Sequence, residues 1–417
     1  MALNDEGHKF IQRALNSLEL DFQISHFDVQ PFSQDNIMVS SLFEINIQEQ
    51  RPSGEKRTRK FIAKLMRDIK YIQELFSLNE QFYNECRVYN EVIPLFIKSF
   101  PHQSETFNIL PGCLYASFAE SNSLLIVEHL TDYTLGNVTD MDYDHCSLAL
   151  KALAQFHSFS YALKKQDSGL FHSNVALAWK EARYREGSHS EAFINIVTKV
   201  FGSDCVRTVK DIFPEFARKY ETKLNEVSSI VSKPIGSKYR KLVQAEGPFA
   251  VLCHGDFNRN NILFRYDEDG KPCEVKLVDF QTVRYASPAI DISFILYLNT
   301  TSVFRATHEE NLLSYYHQKV LESTASLLQC TVEELKVELS LEEFKSDYRR
   351  HALYGFLNSM IFTRRLLASP KEVEELEKKV GNMTEERAKE MLSLGGKFVK
   401  ERIAEMLRDF LAKDYQI

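Results

Sequence analysis

The sequence predicts an α+β fold in two lobes, a small antiparallel β lobe over residues 1–130 and a larger, mainly helical lobe over residues 131–417. Three observations carry this prediction. Segments with strand character cluster before residue 130, helical spacing dominates after it, and one β-rich island at 249–283 interrupts the helices. A chain of 417 residues also exceeds what one compact core of ordinary size holds, so two lobes with a cleft between them are expected.

Taken in order, residues 8–20 read as a helix, followed by strands at 22–29, 37–47 and 60–66. The polar cluster at 50–56 (QRPSGEK) closes a hairpin between the last two. A long helix is predicted over 72–98, kinked or ended early by Pro94, because proline lacks the N–H that a helix interior needs. Strands at 113–118 and 124–130 complete the first lobe, with ESNS at 120–123 as their turn. Helices then follow at 144–162, in a broken stretch over 190–229, from 290 onward, and at 385–413.

Composition narrows the function. Hydrophobic residues at 44% and charged residues at 26% are ordinary for a globular chain. A formal charge of -7 excludes a protein whose main task is coating phosphate backbones, so no nucleic-acid partner is expected. The acidic start MALNDE lacks the basic and apolar regions of a signal peptide, and no apolar run is long enough to span a membrane. Seven scattered cysteines without a C-x-x-C pair fit a reducing compartment. The expected state is a cytoplasmic monomer.

The island carries the chemistry. In 251–264 (VLCHGDFNRNNILF), apolar strand ends flank a polar loop holding His254, Asp256 and Asn261. In 275–281 (VKLVDFQ), a second apolar strand delivers Asp279 at its end. A hairpin can therefore present Asp256, Asn261 and Asp279 to one small volume. Phosphoryl transfer from ATP needs such a set, since its barrier falls mainly through positioning and charge neutralisation by Mg²⁺. Asp279 and the amide oxygen of Asn261 supply the hard oxygen ligands that Mg²⁺ takes from protein. Asp256 then remains to orient an acceptor hydroxyl and receive its proton. The spacing of Asp256 and Asn261 equals that of Asp and Asn in the kinase pattern H-R-D-x-x-x-x-N, although Gly255 replaces the Arg. His254 is read as a support of the loop backbone.

The first lobe offers a second test. In 61–66 (FIAKLM), Lys64 sits alone in an apolar strand, where an unpaired ammonium is costly. Along the next helix, Phe82, Glu85, Cys86, Tyr89, Ile93 and Phe96 form one stripe, which turns Glu85 toward the sheet. A Lys64–Glu85 pair that also contacts ATP phosphates is the expected outcome. Glu128, His129 and Leu130, directly before the helical lobe, would form the hinge whose backbone groups bind adenine. The acceptor pocket is expected from the helical lobe, with Trp179, Tyr184, Tyr297, Tyr354, Phe356 and Phe362 as candidates.

On these residues the chain resembles the ecdysteroid kinase-like family and, behind it, the aminoglycoside phosphotransferases and choline kinases. The resemblance rests on IAK at 62–64, ECRVYNEVIP at 85–94, LIVEHL at 125–130, CHGDFNRNNILF at 253–264, VDFQ at 278–281 and SPAIDISFIL at 287–296. It implies a two-lobed protein-kinase-like fold and ATP-dependent phosphorylation of a small hydroxylated compound. Candidate acceptors are ecdysteroids, other steroids and xenobiotic alcohols. It implies a catalytic role for Asp256, metal ligation by Asn261 and Asp279, phosphate binding by Lys64 with Glu85, and a structural role for Asp291. The segment 31–41, where the family's phosphate-covering loop holds glycine, contains none here, and His129 stands where Asp usually follows the hinge Glu. Two rivals therefore stay open. One is a pseudokinase that binds a nucleotide or small molecule without turnover, and the other is a metal-dependent hydrolase using His254, Asp256 and Asp279.

Overall fold

Apolar residues at every second position, Phe43, Ile45 and Ile47, give one strand a dry face, and the rest of the sheet is built around it. The computed structural model describes residues 3, 5–19, 23–32, 40–51, 54–67, 69–119, 123–135, 140–378 and 383–417. Within them, β1 (Gln23–Pro31), β2 (Ser40–Gln50), β3 (Lys56–Met66), β4 (Cys113–Ser117) and β5 (Leu124–Glu128) form one sheet in the order β1-β2-β3-β5-β4. Every neighbouring pair is antiparallel.

Helix α1 (Asp5–Asn16) presses Ile11, Ala14 and Leu15 onto one face of this sheet, against Ile45, Ile47, Phe61, Ala63, Leu124 and Ile126. The period of two sends the intervening residues Leu42, Ile62, Lys64, Leu125 and Val127 to the other face, where they line a cavity. Lys64 thus looks into the cavity because Phe61 and Ala63 look into the core. The β2–β3 hairpin starts at Lys56 rather than at the predicted residue 60, since the register continues to the Gln50–Lys56 pair.

The helix predicted over 72–98 is broken into pieces. Helix α2 (Lys70–Phe76) stops at Ser77, whose φ of 53° lets its N–H reach the carbonyls of Gln73 and Glu74. Helix α3 (Leu78–Arg87) then restarts, passes through a wider π-type turn at Val88–Val92 and continues as α4 (Ile93–Ser99). Pro94 lies in the first turn of α4, and the widened turn before it relieves the clash a proline ring makes with the preceding carbonyls.

The helical portion begins with α5 (Tyr143–Gln166), α6 (Ser168–Phe171) and α7 (His189–Ile212), then α8 (Pro214–Lys219), α9 (Glu221–Val231) and α10 (Gly236–Leu242). After the β island come α11 (Ala289–Asn299), α12 (Ser302–Leu328), α13 (Val332–Lys336), α14 (Leu341–Leu367), α15 (Pro370–Lys378), α16 (Glu385–Glu390) and α17 (Gly396–Ala412). Among the described residues no helix is long and apolar enough to cross a membrane. Helix α11 is buried along its whole length. It lies so close to α14 that a Cβ on Gly355 would stand 2.4 Å from the backbone of Ser293.

The island at 249–283 is two small antiparallel ribbons and not one hairpin. β6 (Val251–Cys253) pairs with β9 (Arg284–Ala286), and β7 (Ile262–Tyr266) pairs with β8 (Pro272–Leu277). One polar loop runs from β6 to β7 and a second from β8 to β9. The pairing of Ile262 with Leu277 brings the two loops side by side.

Candidate active site

Both loops open on a cavity of about 840 Å³, at the upper end of the range for small-molecule sites. Lys64, Glu85, Glu128, His129, Leu130, Asp256, Asn261 and Asp279 all contribute to its wall, so the residues expected for phosphates, cation, proton transfer and hinge come to one place.

The loop after β6 is held from behind. Asp291, almost fully buried on α11, accepts the N–H of His254 at 2.7 Å on one oxygen and that of Gly255 at 2.8 Å on the other. Gly255 has a φ of 79°, and a Cβ there would fall 1.9 Å from the carbonyl oxygen of Thr282. An arginine at this position is therefore excluded by geometry. The buried His254 places Nε2 3.0 Å from the carbonyl of Val278, while Nδ1 faces the N–H of Asp256 at 3.4 Å. Both ring nitrogens are committed to the two loops, which is a supporting role and leaves neither for a metal. Tyr354 adds a hydroxyl contact to the carbonyl of Gly255 at 3.4 Å.

Held in this way, Asp256 reaches the cavity. Its Oδ1 lies 3.0 Å from Arg183 Nη2 and 3.3 Å from Asn258 Nδ2. Asn261 donates its amide N–H to the carbonyl of Asp256 at 2.8 Å, which turns its amide oxygen outward as the atom able to meet a cation. Asp279 adopts a φ of 70°, an uncommon twist for a residue with a side chain and one that clusters at functional sites. The next residue, Phe280, is fully buried against His254 and Phe156, and it anchors that twist.

From the sheet side, Lys64 Nζ lies 2.6 Å from Glu85 Oε2 on α3 and also bonds Asp279 Oδ1. Gln281 closes the group, donating to Asp279 Oδ2 at 3.1 Å with its own amide oxygen 3.5 Å from Lys64 Nζ. Burial favours loss of the lysine proton, yet Asp279 and Glu85 outweigh it and hold the ammonium pKa above its ordinary value. Breaking a buried pair strands a charge, so Lys64→Met is expected to lower stability by about 3–5 kcal/mol in urea unfolding. Lys64→Met/Glu85→Leu, which removes both charges, should recover much of that loss without recovering activity. Equal stability of the single and double variants would contradict the pairing.

At the hinge, the N–H groups of Glu128 and His129 are spent on the carbonyls of Gly112 (2.8 Å) and Lys60 (3.0 Å). Among the described residues no hydrogen bond takes the N–H of Leu130, which is left as a backbone donor at the cavity edge. The side chains turn elsewhere, with Glu128 Oε2 3.4 Å from the N–H of Gly112 and His129 Nδ1 2.8 Å from Glu44. Most of the glycine-free segment, residues 33–39, lies outside the described residues.

The expected acceptor aromatics mostly do something else. Phe362 lines the cavity, but Tyr184, Tyr297, Tyr354 and Phe356 are buried core and Trp179 packs by Arg87. Tyr184 stacks on Tyr239 and its hydroxyl lies 3.3 Å from that of Tyr354 and 3.3 Å from Asn358 Oδ1, so this cluster backs the loop between β6 and β7. The wall is instead largely aliphatic and aromatic, from Phe193, Ile194, Ile361, Phe362, Leu366 and Met391. Arg183 escaped the sequence reading altogether, since it sits in a loop without motif before α7. No local signal marks it.

For a divalent cation, the carboxylate of Asp279 and the amide oxygen of Asn261 are a hard, oxygen-only donor pair that suits magnesium completed by phosphates and water. The one other cluster of potential ligands among the described residues, His157, Cys253 and Asp291, is fully buried, and its carboxylate is engaged by the loop.

Sheet, helical portion and cleft are joined by a family match that puts the chain in the kinase-like, small-molecule class. The chain belongs to the ecdysteroid kinase-like family, whose sequence pattern matches residues 34–329. It is similar to a solved aminoglycoside-3'-phosphotransferase of type VIII, at 13% identity and a TM-score of 0.31, over 82% of this chain and 100% of that one. It is also similar to the chain of a gentamicin-APH(2")-IIa complex, at 14% identity and a TM-score of 0.39, over 89% and 99% of the two chains. No curated protein matches the chain.

Proposed function

We propose that this protein transfers the γ-phosphoryl group of ATP to a hydroxyl of a small, largely apolar compound, such as an ecdysteroid, another steroid or a xenobiotic alcohol. One observation carries the reading. Asp256 opens on the same cavity as Lys64, Asn261 and Asp279, which supports reading it as a proton acceptor beside groups suited to phosphates and their cation. Residues 1–130 hold the nucleotide with Lys64, Glu85 and the hinge at Glu128, His129 and Leu130, and residues 131–417 supply the catalytic loop and the acceptor wall. Asn261 and Asp279 would hold Mg²⁺, whose charge would neutralise the phosphates.

The protein's own groups do the rest. Lys64, steadied by Glu85, holds phosphate oxygens, and Asp256 orients the hydroxyl and takes its proton as the new bond forms. The largely apolar wall, to which Arg365, Glu374 and Arg387 add charge, favours an alcohol with hydrophobic surface. The seven free cysteines fit action in the cytoplasm, and a monomer contains every group named.

The test is a screen of steroid and xenobiotic alcohols with ATP and magnesium, reading phosphate adducts by mass. An adduct from the wild type and a loss of at least about 100-fold in Asp279→Asn is expected, because the anionic ligand for the cation that neutralises the transferring group is removed. Undiminished adduct in that variant would contradict the assignment. The alternative, a binding module without turnover, is favoured by the glycine-free segment 31–41 and predicts nucleotide binding with no adduct from any alcohol.

A further inference from the structure

The carboxylate of Asp256 is asymmetric. Its Oδ1 faces Arg183 Nη2 at 3.0 Å and Asn258 Nδ2 at 3.3 Å, whereas among the described residues nothing hydrogen-bonds its Oδ2. A free carboxylate turns about its last torsion and offers either oxygen. This one is pinned.

Arg183 is itself fixed by its surroundings. Glu181 Oε1 accepts the backbone N–H of Arg183 at 2.8 Å and of Tyr184 at 3.0 Å. Arg284 holds the same carboxylate, with Nη1 2.9 Å from Oε2. The guanidinium also lies over the ring of Phe362, 5.6 Å from its centre, at the edge of the acceptor wall. At the other end of this strap, Asn84 clamps the backbone of Lys180, accepting its N–H at 3.0 Å and donating to its carbonyl at 2.9 Å. Asn84 precedes Glu85 on α3. The strap therefore ties the helix that carries the Lys64 partner to the side chain that orients Asp256.

We propose that Arg183 is a positioning residue for phosphoryl transfer, pinning Oδ1 of Asp256 so that Oδ2 is the oxygen that receives the acceptor hydroxyl's proton. This rests on the phosphotransferase reading above. In the step, the acceptor oxygen forms a bond to the γ-phosphorus, the bond from that phosphorus to ADP breaks, and the hydroxyl proton passes to Oδ2. Arg183 exchanges no proton. Its contribution is directional, since small misplacements of a reacting group cost large factors in rate.

The experiment compares wild type, Arg183→Met, Arg183→Lys, Asp256→Asn and Asp256→Asn/Arg183→Met, using ATP and magnesium with an ecdysteroid as acceptor and with water as a second acceptor. Arg183→Met is expected to lose about 10–100-fold in kcat with KM for ATP unchanged, and Arg183→Lys to regain part of the loss. The double variant should be no slower than Asp256→Asn alone, because pinning a base that is gone has no effect, whereas damage to folding would add. Full kcat in Arg183→Met, or losses that multiply in the double variant, would overturn the assignment while leaving the phosphotransferase reading intact. A wild type that makes no phosphate ester of the ecdysteroid or of any other alcohol in the screen would overturn both.

Discussion

Asp256→Asn is expected to lower kcat by about 10²–10⁴-fold, the range for removing a general base, while the protein stays folded and nucleotide binding is kept. The substitution is nearly isosteric. Asparagine retains an amide oxygen that can face Arg183 and Asn258, so the packing of the loop survives. What disappears, under the proposed mechanism, is the ability to take a proton and the charge that aims the hydroxyl. Steady-state kinetics with the acceptor from the screen, together with a urea midpoint, separates the two effects. A large fall in midpoint with a matching fall in activity would place Asp256 in the scaffold instead.

Gly255→Ala should be the more damaging change for the fold. The left-handed backbone costs a residue with a side chain about 1–2 kcal/mol, and the new Cβ would stand 1.9 Å from Thr282 O, with the Thr282 hydroxyl at 3.2 Å. Relieving that overlap means moving one of two loops that Asp291 and His254 hold together, which adds about 1–3 kcal/mol. A fall of about 2–5 kcal/mol in unfolding free energy is expected, with kcat reduced because Asp256 is the next residue. Gly270→Ala is the matched control. Gly270 has a similar φ of 75° but open space around it, so it should show the backbone cost alone and keep its activity. Equal losses at the two glycines would show that the contact with Thr282 does not matter.

The features legible in the sequence are those written in short, local patterns. Alternation along residues 61–66 places Lys64 on the face opposite Phe61 and Ala63, and helical spacing turns Glu85 to meet it, so the pair follows from two periodicities. The loop residues Asp256 and Asn261 and the strand-end Asp279 are likewise set by spacing and by neighbouring strands. The break at Ser77 was not legible, because it depends on a left-handed serine and not on a glycine or proline. Arg183 was invisible for a different reason. Its partner is far away in sequence, and the contact exists only because Glu181, Arg284 and Asn84 dock the strap. Tyr184, Tyr297, Tyr354 and Phe356 were expected at the acceptor pocket, but residue type carries no information on whether a buried ring faces a cavity or the core.

The most direct measurement follows the γ-phosphoryl group itself, with γ-labelled ATP, magnesium and an acceptor alcohol in a single turnover. With the wild type the label is expected to leave in a phosphate ester of that alcohol, and with Asp256→Asn to stay in ATP. Label appearing instead as inorganic phosphate alone, or passing to the alcohol equally well with Asp256→Asn, would contradict the proposed mechanism.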